Sequence, residues 1–187
     1  MSARTGLLMQ EFTQAEGKMP RVFWFIFAAM MAAWLMMNLW TVPRIEEMSG
    51  GLRLFDMRFG GYSFGEAKVF IAAIGDQGTA LYLGTQYWLD MIFPPLLGAV
   101  LFLTYRWLFP GLLGLVIGVV SLSTVVIDYL ENFAVVAMLR AGSDALTPEM
   151  VATANRLTTT KWTLAVVGLV ALIIGFALYL RRRWVAT

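Results

Sequence analysis

Residues 22 to 42, VFWFIFAAMMAAWLMMNLWTV, contain no charged side chain and lie between Pro20-Arg21 and Pro43-Arg44. At ~1.5 Å per helical residue the stretch crosses a hydrocarbon layer of about 30 Å. Inside such a layer every backbone amide needs an internal partner, so the run is predicted to be a membrane-spanning helix. A secretory signal peptide is the competing reading, but its apolar region is shorter and leads into a small-residue cleavage site. Three further spans are expected, at about 77–105, 111–139 and 148–181. Asp90 is the single charge of the second, the acidic segment VVIDYLENF interrupts the third, and the apolar core of the fourth ends at Arg181-Arg182-Arg183.

Composition agrees with an all-α polytopic membrane protein built as one four-helix bundle over residues 1–187. Hydrophobic residues make up 59% of the chain and charged ones 14%, with a mean hydropathy of +0.72, far from the values of an average soluble domain. The chain has no Cys and no His. That removes disulfides, thiolate nucleophiles, zinc sites and His- or Cys-ligated haem. Any metal would be a hard ion held by oxygen, and no cofactor is expected. The formal charge of +2 with its positive excess at the chain ends gives no nucleic-acid footprint. Membrane lipids, a hydrophobic small molecule, a second copy or a membrane complex are the expected partners.

The connection from Arg44 to Asp76 is too long for a bare turn. Ser63 and Glu66 have capping-box spacing, and the segment they open predicts a short apolar helix over 64–75 that lies on the bundle or dips into it. Thr147-Pro148-Glu149 reads as an N-cap, a first-turn proline and an early acid, so the last helix should begin near Pro148. Four spans place both termini on one side. Lys18, Arg21, Arg106 and the terminal arginines assign that side to the cytoplasm of a plasma (inner) membrane, although the fourteen Lys and Arg otherwise divide evenly.

Measured along each helix from its presumed cytoplasmic end, the polar groups share one height. At helical rise Asp90, Asp128, Glu131 and Asn38 all fall ~24–31 Å from that end, with Thr158 to Thr160 slightly farther. Spacings of three and four put Ser121, Thr124, Asp128, Glu131 and Asn132 on one stripe, and Tyr82, Gln86 and Asp90 on another. Carboxylates at this depth are costly unless paired, hydrated or bound to a ligand. Arg53, Arg58, Lys68, Arg156 and Lys161 are the candidate cations. The candidate cavity residues are therefore Asp90, Asp128, Glu131, Asn132, Arg53, Arg58, Tyr62 and Gln86.

The segments FDMRFGGYS, LYLGTQYWLDMIFPP and DYLENF together resemble motifs of four-helix integral membrane proteins of uncharacterised activity. The resemblance implies no reaction. It marks Asp56, Arg58, Tyr62, Asp90, Pro94, Asp128, Glu131 and Asn132.

Two readings of the acidic layer stand side by side: a buried network that fixes helix register, or the lining of a wet site. Asp90 could also serve backbone groups freed by Pro94-Pro95, which are expected to kink their helix. Asn38 and the threonine run read more simply as helix–helix hydrogen bonds, and Gly114 and Gly118 as close-packing positions. Three function classes follow. The first is a carboxylate-lined, outer-side pocket for a lipid or other hydrophobic small molecule, with catalysis undecided; the others are a proton- or cation-coupled carrier and an accessory subunit.

Overall fold

The computed structural model describes residues 19–186, so Lys18 lies outside the described residues. The first apolar run forms α1 (Arg21–Met36), which passes through a π-turn at Met37–Thr41 into α2 (Val42–Met48). The helix thus runs beyond Pro43, where the sequence suggests an end. In the π-turn the Val42 amide reaches back five residues to the Met37 carbonyl, and this wider winding carries the chain past a proline that has no amide hydrogen to give.

After a 3₁₀ turn at Phe55–Met57 come α3 (Phe64–Leu81), a second π-turn at Tyr82–Gln86 and α4 (Tyr87–Leu108). Ser63 and Glu66 form the full capping box at the start of α3. At Gly75 the backbone adopts φ 63°, a region that glycine enters without a Cβ penalty. The bend there separates the short helix from the remainder of α3, which leads on to α4. The short helix's buried residues Ala67, Phe70, Ile71 and Ile74 pack into the largest hydrophobic cluster.

Pro110 and Gly111 reverse the chain into α5 (Gly111–Ala145), whose regular geometry breaks at Gly142. Helix α6 (Pro148–Ala186) follows, with the Thr147 hydroxyl accepting from the Met150 amide. The described residues form helices without strands, and four helical stretches are long and apolar enough to cross a membrane. Apolar side chains point outward along them: Phe25, Leu39 and Leu112 are 76%, 75% and 74% exposed.

Helix α4 packs along both α1 and α5, and α5 packs along α6. Between α4 and α5 the contact is close: a Cβ on Gly98 would meet Val125 at 2.7 Å, and one on Gly118 would meet Phe102 at 2.8 Å. Gly114 is buried on the same side, in keeping with the packing role that its spacing suggests.

Pro94 and Pro95 remain inside α4, which continues to Leu108. Each proline leaves the carbonyl four residues earlier without its helical donor. The side chains of α5 replace both. Asn132 Nδ2 donates to the Asp90 carbonyl at 3.2 Å, and the Tyr129 hydroxyl donates to the Met91 carbonyl at 2.9 Å. Asn132 and Tyr129, rather than the Asp90 carboxylate, serve the proline-freed groups.

This pairing predicts a specific non-additivity. Tyr129→Phe should destabilise the protein by about 0.6–1 kcal/mol, because the Met91 carbonyl loses its donor. In a Pro95→Ala background the restored amide hydrogen should reduce that cost to nearly zero. Unfolding in detergent of the two singles and the double measures the coupling.

Candidate functional site

The helices and the connection before α3 enclose a cavity of about 440 Å³, within the ordinary range for ligand pockets. One end is polar and is lined by Asp56, Asp90, Asp128, Lys161, Asn38 and Thr124. The other is apolar and is walled by Leu97, Leu101, Ile117 and Leu172. Between Asp128 and Ile117 on α5 the two ends are separated by ~16 Å at helical rise.

Lys161 organises the polar end. Its ammonium contacts Glu131 Oε2 directly and lies 3.6 Å from Asp128 Oδ1. Asp128 and Glu131 are one helical turn apart on α5, so both can reach a single cation on α6. Glu131 has no exposed side-chain surface, and its other oxygen accepts from the Thr158 hydroxyl at 2.6 Å. A carboxylate this deep is tolerable only with such partners.

A second chain of hydrogen bonds enters from α4. Gln86 is fully buried; its Oε1 accepts from Thr41 and its Nε2 donates to Asp90 Oδ2 at 2.9 Å. Thr41 and Gln86 each close one of the two facing π-turns, which also touch one another. The wider winding brings both side chains to the seam between α1 and α4.

Asp56 arrives from the connection before α3. Its Oδ1 accepts from the Tyr82 hydroxyl at 3.1 Å, and its backbone carbonyl accepts from Trp162 Nε1 at 2.9 Å. Tyr62 is held nearby through its amide, which donates to Asn155 Oδ1 at 2.8 Å. Gly61, with φ 79°, leaves room for Asn155 at this junction.

Of the eight sequence candidates, Asp90 and Asp128 face the cavity. Glu131, Asn132 and Gln86 stand directly behind them as hydrogen-bonding or ionic supports. Tyr62 packs in an aromatic cluster with Phe55, 4.9 Å between ring centroids. Burial raises its phenol above the usual tyrosine range.

The two arginines do not reach the carboxylates. Arg53 is exposed. Arg58 lies 5.4–5.7 Å from the centroids of Phe55, Tyr62 and Phe70 and donates twice to the Arg53 carbonyl. Cation–π contact and a carbonyl thus occupy its guanidinium, while partial burial lowers its pKa. Lys68 and Arg156 are exposed, so the carboxylates' cation is Lys161 alone among the described residues.

Thr158 makes the interhelical bond that the threonine run suggests. Asn38 instead donates to its own helix at the Trp34 carbonyl, 2.9 Å away, and borders the cavity. Sequence reasoning gives Trp162 and Asn155 no site role; their partners lie about a hundred residues away in an irregular segment, and no local spacing signals such contacts. Among the described residues no group of three or more acidic side chains gathers tightly enough to hold a metal ion.

Comparison with known proteins finds no match among family models, curated proteins or solved structures.

Removing the central cation should expose the cost of this network. Lys161→Met leaves the buried Glu131 and the partly buried Asp128 without it and should lower stability by about 3–5 kcal/mol. Adding Asp128→Asn and Glu131→Gln should recover more than half of the loss, measured as thermal unfolding in detergent. If Lys161→Met alone were neutral, the ion pair would have no part in holding α5 to α6.

Proposed function

We propose that this chain is an integral membrane protein that binds a lipid or lipid-like hydrophobic small molecule in the cavity, from the outer side of a plasma membrane. The carrying observation is the cavity's two-ended lining, with carboxylates gathered at one end and hydrocarbon side chains along the rest. An amphiphile matches that division, with its head among polar groups and its tail against Leu and Ile.

The route of entry supports the same reading. Helices α1 and α6 both contribute wall residues, including Trp34 and Ala165, yet they flank α4 without extended packing against one another. Exposed apolar residues border this side, among them Val167 and Leu169 of α6. In a bilayer the opening would face acyl chains, so a hydrophobic molecule could enter sideways without crossing water.

A proton- or cation-coupled carrier needs ionisable groups through the bilayer. Below Ser121 the lining is almost wholly apolar, and the Tyr105 hydroxyl there is engaged by the Gly168 carbonyl at 2.8 Å. This distribution favours binding over conduction.

The proposed orientation has both termini in the cytoplasm. Because the chain contains no cysteine, single cysteines report it cleanly. Gly60→Cys, at an exposed position in the connection before α3, should react with a membrane-impermeant maleimide in intact cells, whereas Arg182→Cys should react only after permeabilisation. The opposite pattern reverses the assignment.

The binding proposal is tested by mass spectrometry of molecules retained through purification. Wild-type protein should retain a defined lipid or hydrophobic species. Ala165→Trp, which grows into the cavity from an exposed wall position, should retain at least about tenfold less at unchanged thermal stability, a difference that corresponds to ~1.4 kcal/mol of binding. Equal retention by both proteins would overturn a ligand site here.

A further inference from the structure

Resting on the binding reading above, the geometry points to a narrower ligand class: an amphiphile whose head is a positively charged amine. We infer that its ammonium sits against Asp90, at the end of the cavity that Asp56 and Asp128 also line, while its tail follows the apolar wall toward Leu101 and Leu172.

The charge inventory of the polar end carries this inference. Four carboxyl groups, Asp56, Asp90, Asp128 and Glu131, converge there with one cation, Lys161. Lys161 is already shared by Asp128 and Glu131. Asp56 and Asp90 have no cationic side chain within ion-pair distance among the described residues. Their own partners, the Tyr82 hydroxyl and the Gln86 amide, are neutral donors.

Asp90 supplies a second, independent pointer. It borders the cavity while only 7% exposed. Gln86 and the Thr41 bond behind it hold Oδ2 in place, and Oδ1 has no hydrogen-bond partner among the described residues. A positioned acceptor at the wall of a cavity calls for a donor from its contents, and an ammonium offers three donors together with compensating charge.

Other head groups fit less well. An anionic head would meet three cavity-facing carboxylates beside a lysine that is already engaged. A neutral hydroxyl could bond Asp90 but would leave the acidic excess uncompensated. The apolar length below the acids requires a tail, which argues against a small hydrated cation.

Chain-matched probes test the inference. Purified protein in uncharged detergent is titrated with dodecylamine, dodecanol and dodecanoate, and occupancy is read by native mass spectrometry. Dodecylamine should bind at least about tenfold more tightly than dodecanol, as expected for a charge-assisted pair. Asp90→Asn should abolish that preference, and Asp56→Asn should reduce it, so a folding failure of one variant leaves the other to decide. Ala165→Trp should exclude all three chains.

Equal binding of the three probes, all lost in Ala165→Trp, would overturn the amine head group and leave the hydrophobic site standing. A preference for dodecanoate would do the same. Binding that Ala165→Trp leaves untouched would remove the cavity site itself, and the head-group inference with it.

Discussion

The Lys161 ammonium, held between Asp128 and Glu131, is the interaction on which the polar end of this protein depends. Two acids one turn apart on α5 repel each other at close range, and a single cation from α6 turns that repulsion into a bridge between helices. A hydrophobic replacement can match a buried ion pair in stability, so the bridge is better understood as fixing register than as adding net strength. With Thr158 on Glu131, it sets how far α6 sits along α5. It also exhausts the local positive charge, so the acidic excess at Asp56 and Asp90 is a direct consequence of the same contact.

A different device fastens α4 to α5. Two adjacent prolines would normally weaken a helix by freeing two carbonyls, and here Asn132 and Tyr129 supply the missing donors from the neighbouring helix. The segment DYLEN therefore divides its work by face: Asp128 and Glu131 meet the lysine, while Tyr129 and Asn132 meet the proline-freed backbone. On the far side of α4, Gln86 and Thr41 continue the hydrogen-bond chain through two π-turns. The cavity lies where these separate seams meet, and its walls inherit their polarity from them.

Periodicity made the helices legible, and of the eight candidate residues put forward from the sequence Asp90 and Asp128 line the cavity. Apolar runs of sufficient length marked the four long helices, the Ser63–Glu66 spacing marked the start of α3, and three-residue spacing placed Asp128 and Glu131 on one face, while Asn132, expected on the same stripe, turns to α4 instead. Helical rise placed Asp90 and Asp128 at a common height. What those regularities lack is the reach and direction of side chains from irregular backbone. Arg58 and Lys161 were both candidate cations from sequence, and only the folded positions of Phe55, Tyr62 and Phe70 show why Arg58 turns to aromatic rings. The passage through Pro43 was likewise hidden, because a π-turn depends on a hydrogen-bond shift that leaves no mark in hydropathy. The bond from Trp162 to the Asp56 carbonyl requires the fold of a distant connection.

The paired donors from Asn132 and Tyr129 have a mechanical consequence. Sliding α4 past α5 by one helical turn would strip two adjacent carbonyls of their donors at once, and the glycine contacts farther along the same seam leave no room for added side-chain bulk between the helices. The outer helices α1 and α6, which each pack on this pair without extended contact with one another, are the walls of the chamber not tied by it.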